Sequence, residues 1–163
     1  MKSGAFLYNH LMLICILLAC LSCSKKPVHP WTGKQLLLPG VQDSKNKKIV
    51  NRFLGDCSSC IESIDTWKAI HDAAKMKSKN IQFIFFVETI KQEDFDSLKA
   101  KLQFSDNVKV VFDQQGGFFQ RNLLKYPFGI EYQTFLLNDN NEIVLVGNPA
   151  FLRPMIREYI EAI

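Results

Sequence analysis

The sequence predicts an α/β domain with a mixed β-sheet flanked by helices, and three observations predict it. Apolar runs of strand length alternate with segments whose apolar residues recur at helical spacing. The last two strand-like runs flank a polar turn, so a β-hairpin follows the parallel crossovers. The stretch Cys57-Ser58-Ser59-Cys60 stands at the junction of the first strand and the first helix.

The first strand is Lys48 to Leu54, an extended apolar segment ended by Gly55-Asp56. Ile61, Ile64, Trp67 and Ile70 then repeat at helical spacing and define the first helix. Ile81 to Val87 is apolar almost throughout, the mark of a strand covered on both faces. Phe95, Leu98 and Leu102, separated by charges, predict a helix over Lys91 to Leu102. Val108 to Asp113 follows as a short strand, and Gly116-Gly117 opens a helix over Phe118 to Leu124. Thr134 to Leu137 and Glu142 to Val146 flank Asn138-Asp139-Asn140-Asn141, a hairpin turn. An amphipathic helix from about Phe151 to Ile163 closes the chain, with Pro154 tolerated in its first turn.

The strand–turn–helix setting of the cysteines has a chemical consequence. Cys57 falls at a helix N-terminus, where unsatisfied N–H groups and the macrodipole favour a thiolate over a thiol. A thiolate attacks disulfides, and a second thiol three residues on can resolve the mixed disulfide. A structural staple is a poor alternative, since a bridge across two residues closes too small a loop to constrain the unfolded chain. Zinc wants four ligands. The nearest histidine is His71, no other follows it, and it reads as a surface residue rather than a ligand. No metal and no cofactor are expected.

The N-terminus indicates export. Lys2 supplies a positive charge, Leu11 to Leu18 an apolar core too short to span a bilayer, and small residues and cysteines follow. Ending in cysteine, the segment resembles a bacterial lipoprotein signal, and Leu17-Leu18-Ala19-Cys20 fits that pattern best. Residues 1–19 are then the signal peptide and Cys20 is lipidated, with Cys23 as the alternative. Residues 20–46 form a polar, proline-broken tether and lead-in. Within it Trp31 to Pro39 is more apolar and suited to pack a short strand or turn on the domain edge. Residues 47–163 form the domain, whose only cysteines are Cys57 and Cys60. The net charge of +4 is mild and no basic residues interleave with aromatics, so no nucleic acid partner is expected.

Over roughly Lys48 to Ile163 the chain resembles the thioredoxin superfamily. The strand–CxxC–helix opening, the late hairpin and the C-terminal helix carry the likeness. Within it the chain is similar to the extracytoplasmic, membrane-tethered reductases, which insert a strand and helix before the hairpin; Lys91 to Leu124 matches that insertion. The resemblance implies a thioredoxin-like fold, with Cys57 as nucleophile and Cys60 as resolving thiol. It also implies disulfide-bearing or dithiol partners in the cell envelope and an upstream membrane electron donor. The location implied is the periplasmic face of a membrane, held there by the lipid anchor.

In that family a cis-proline followed by threonine opens the hairpin strand and faces the cysteines. Thr134 matches the threonine, but Gln133 occupies the proline position, and these two are the candidate substrate-loop residues. A cis bond before a non-proline residue costs ~3–4 kcal/mol, so the Tyr132–Gln133 bond is expected to be trans. Asp56 either caps the helix or repels the Cys57 thiolate, raising its pKa and favouring a reducing pair. Asn51, near where thioredoxins bury a carboxylate, cannot serve as a base, and Glu88, at the end of the second strand, is a remote substitute that reads first as a solvated strand end. The expected activity is thiol–disulfide exchange as a reductase. Two alternatives stay open: a non-enzymatic thioredoxin-like interaction lipoprotein, and a metallochaperone holding Cu(I) between the thiolates.

Overall fold

Strand β1 (Lys48–Leu54) pairs in parallel with β2 (Gln82–Glu88) on one side and antiparallel with β4 (Thr134–Leu137) on the other. A computed structural model describes residues 29–42, 44–78, 80–124 and 129–163. The signal segment, Cys20 and Cys23 lie outside the described residues. β3 (Val108–Phe112) pairs in parallel with β2, and β5 (Ile143–Val146) antiparallel with β4. The five-stranded order is β3-β2-β1-β4-β5, a mixed sheet with parallel crossovers first and the hairpin last, as the alternation of elements predicts.

The helices are α1 (Ser58–Glu62), α2 (Ile64–Lys77), α3 (Gln92–Leu102), α4 (Gly117–Arg121) and α5 (Arg153–Ala162). Two details depart from the sequence reading. The first helix is two, broken at Ser63, whose hydroxyl donates to the Cys60 carbonyl at 2.7 Å. A serine bonding back onto the preceding turn competes with the helical ladder and bends it. The helix expected over Phe118 to Leu124 ends at Arg121, because Leu123 takes a left-handed conformation with φ 51.

Both faces of the sheet are covered, which accounts for the unbroken apolar run in β2. Phe83, Phe85 and Val87 face one core layer with Trp67, Ile70, Leu98 and Tyr159, beneath α2, α3 and α5. Ile84 and Phe86 face the other, with Phe118, Phe119, Phe135 and Leu36. His71 is buried in the first layer rather than at the surface. Its Nε2 meets Asn107 Oδ1 at 2.8 Å, and its ring packs edge-on to Phe83 and Phe104. A helical histidine with both ring nitrogens partnered meets the condition for burial.

The second layer is closed partly by the lead-in. Leu36 is buried and Trp31, Leu38 and Val41 pack beside it. Gln35 bridges to Glu142, and Asn122 holds both backbone groups of Leu37, at 2.7 and 2.9 Å. Leu36→Ala should therefore cost about 2–5 kcal/mol, the range for a buried leucine, read from the urea midpoint. A lead-in acting only as a tether would leave that midpoint where it was.

Candidate active site

The site forms at the carboxyl ends of β1 and β2 and the start of β4. β1 ends at Leu54, and the Gly55 N–H donates to the Glu88 carbonyl at 2.9 Å. A side chain at position 55 would crowd Thr89, Leu98 and the Glu88 carbonyl at 3.0–3.2 Å, so glycine lets the chain turn tightly against the end of β2. Two residues later Cys57 is the N-cap of α1, with extended backbone, φ −92 and ψ 110. Its Sγ accepts the Cys60 N–H at 3.4 Å and lies 3.1 Å from Ser59 Oγ.

These contacts make the two thiols unequal. Burial alone would raise the Cys57 thiol, but hydrogen bonds from Cys60 and Ser59 outweigh it and bring the group below the ordinary cysteine value. Cys60 is 5% exposed. Its thiol is pushed up to about 12, first by burial, then by the hydrogen bond to Cys57 and the Cys57 charge. Asp56 is exposed and makes no cap. Its charge bears on Cys60, which it raises, and Cys57 moves down rather than up. The expectation that Asp56 caps the helix or lifts the Cys57 pKa is thus corrected, and with it the inference of a reducing pair from that charge.

Around the cysteines, β4 begins at Thr134 opposite Asn51, whose amide donates to Thr134 Oγ1 at 2.6 Å in a fully buried contact. Gln133 is also buried, and no peptide bond among the described residues is cis. Its N–H donates to the Ile130 carbonyl at 3.2 Å, closing the 3-10 turn Ile130–Tyr132, and its carbonyl accepts the Arg52 N–H at 2.9 Å. Both backbone groups of Gln133 are therefore engaged within the chain.

Arg52 also belongs to the site. Its guanidinium meets Glu88 Oε2 through Nε and Nη2, both at 2.5 Å, and lies 4.8 Å from the centre of the Phe119 ring. An arginine between the apolar residues of a strand was the available signal, because a charge there needs a partner. Nearby, buried Asp113 accepts the Phe118 N–H at 2.9 Å and starts α4. Burial holds its carboxyl above the usual range, against the pull of that hydrogen bond. Among the described residues no three His, Cys, Asp or Glu side chains cluster as a metal site, and Cys57 and Cys60 are free cysteines.

Ser59→Ala removes a hydrogen bond to the Cys57 sulfur and should raise its pKa. The alkylation rate of Cys57 would then rise with pH at a higher midpoint than in the wild type. An unmoved midpoint would show that the Ser59 hydroxyl does not set the value and that the remaining donors, from Cys60 and the backbone, do.

No protein-family model and no characterised protein matches the sequence, but solved structures match the fold. A protein of Chlorobium tepidum described as a thiol:disulfide interchange protein of the DsbE type is similar at TM-score 0.55 and 18% identity, over 74% of this chain and 82% of that one. A thiol-disulfide oxidoreductase of Bacteroides fragilis is similar at TM-score 0.53 and 15% identity, over 76% and 88%. A secreted disulfide oxidoreductase of Mycobacterium tuberculosis is similar at 0.51 and 13%, over 74% and 84%. The mixed sheet, its flanking helices and these likenesses show that the chain has the thioredoxin-like fold, shared with thiol-disulfide oxidoreductases.

Proposed function

We propose that the protein exchanges dithiol for disulfide with protein partners through Cys57 and Cys60, as a lipid-anchored reductase outside the cytoplasm. The observation that carries this reading is the inequality of the two thiols. One is half-exposed and biased toward thiolate, the other buried and held as a thiol. The Cys57 thiolate attacks one sulfur of the partner's disulfide and forms a mixed disulfide, while the partner's other sulfur leaves and takes a proton. Cys60 then gives up its proton and attacks Cys57 Sγ. The Cys57–Cys60 bond forms, the partner leaves as a dithiol, and two electrons have passed to it.

The reducing direction rests on the sequence resemblance to tethered reductases, since the lowered Cys57 pKa removes the argument from Asp56. Return to the dithiol form requires an upstream dithiol donor at the membrane. Anchoring rests on Leu17-Leu18-Ala19-Cys20 after an apolar core, and no helix among the described residues is long and apolar enough to cross a membrane.

The reduced protein should reduce insulin disulfides faster than an equal concentration of dithiothreitol alone. Cys57→Ala should abolish this, and Cys60→Ala should accumulate mixed disulfides with envelope proteins. Activity no faster than free thiol, with nothing trapped, would leave the interaction-module reading in place; stoichiometric, tight Cu(I) binding by the dithiol would favour the metallochaperone. For the anchor, Cys20→Ser should abolish incorporation of labelled fatty acid. Loss on Cys23→Ser instead would move the lipid three residues on, and an unlabelled wild type would remove the anchor.

A further inference from the structure

Where a partner lies while its disulfide is attacked can be read from the surface beside Cys57. Gln133 itself offers no open backbone group for strand pairing, because its N–H and carbonyl are both taken. On the other side of β1 two clefts, of about 490 and 280 Å³, share Glu88 and Gln115 and so form one trough. It starts at Asp56, the chain neighbour of Cys57, and runs past Ile90 and Glu88 to Arg52, Phe119 and Leu123.

The trough carries two marks of a docking surface. Ile90 and Leu123, among the most exposed large apolar side chains of the described residues at 84% and 71%, line its two different clefts. Leu123 and Gln115, two of the three non-glycine residues with positive φ among the described residues, also line it. Backbone strain of this kind concentrates at ligand clamps.

Charge selects the occupant. Glu88 is matched by Arg52 on the floor, so the middle of the trough is neutral. At the cysteine end Asp56 and Asp94 face a single cation, Lys91, and neither carboxylate has an ion-pair partner among the described residues. A cation entering there is complementary to the rim and offsets the Asp56 charge that bears on Cys60.

We propose that this trough docks an extended segment of the partner protein, with a basic residue beside the disulfide cysteine and an apolar side chain farther along, toward Phe119 and Leu123. The proposal rests on the exchange chemistry above, and the test separates the two. The reduced full-length protein is mixed with two-chain peptide disulfides carrying a fluorophore and a quencher. Either two lysines or two glutamates flank the cysteine, and either leucine or serine stands three residues from it. A neutral probe, 2-hydroxyethyl disulfide, runs in parallel.

At low salt the lysine peptide should react about fivefold or more faster than the glutamate peptide, since rim charges act chiefly on association rate. Near 1 M salt, where the Debye length is about 3 Å, that ratio should shrink toward one. Asp94→Lys should bring it to one or below, and Leu123→Asp should erase the preference for leucine over serine. A wild-type ratio of one, a preference for glutamate, or a ratio unmoved by Asp94→Lys overturns the docking proposal while reduction of the neutral probe leaves exchange standing. Failure to reduce any of these disulfides overturns both.

Discussion

One hydrogen bond, from the Cys60 N–H to the Cys57 sulfur, ties the fold of this protein to its chemistry. A helix begins with backbone N–H groups that lack intrahelical partners, and an oxygen of Ser, Thr, Asp or Asn usually accepts one of them. Here sulfur does so, and a charged acceptor makes a stronger bond than a neutral one. Starting the helix and ionising Cys57 are thus the same event in part. The macrodipole contributes less than the sequence suggests. α1 has five residues and the ladder breaks at Ser63, so few peptide dipoles align behind the sulfur. Hydrogen bonds from the Cys60 thiol, the Ser59 hydroxyl and the nearby backbone N–H groups are what lower the thiol.

The position of that bond is inherited from β1. Its carboxyl end is clamped by β2, by the Gly55 N–H on the Glu88 carbonyl and by the Arg52 N–H on the Gln133 carbonyl, just after the buried Asn51–Thr134 contact. The same strand carries Arg52 into a largely buried setting, where an unmatched guanidinium would be strongly destabilising. Glu88 matches it, and its carboxylate lies so close to Gly116 that a Cβ there would approach to 2.9 Å. Gly116 also has φ +68. The turn between β3 and α4 is therefore constrained twice, by backbone conformation and by room for the carboxylate that Arg52 requires.

Much of this was legible in the chain. The strands follow from runs such as Ile81 to Val87, whose alternate residues face two separate core layers, and the hairpin from its asparagine-rich turn. The placing of Cys57 at a helix start follows from Gly55-Asp56 and the helical spacing after Cys60. Other features depend on contacts between residues far apart in sequence. His71 is buried because Asn107, thirty-six residues away, satisfies its ring. The break at Ser63 depends on which acceptor a hydroxyl finds, and the shortening of α4 on a leucine held in a left-handed conformation. Spacing shows periodicity, but it does not show which polar group finds a partner.

Gln133 shows how a departure from a familiar pattern can be a different solution rather than a defect. A proline at this position would have no N–H to give, so the bond to the Ile130 carbonyl that closes the 3-10 turn would be lost. It would also draw φ from −95 toward about −65. The glutamine thus keeps a trans, internally bonded loop that packs its side chain inward. A residue whose N–H and carbonyl are both spent on the fold has neither left for pairing with another strand. In the proposed exchange, recognition of a partner would then draw on side chains around Cys57, and beyond Asp56 the surface carries exposed carboxylates and the exposed Ile90.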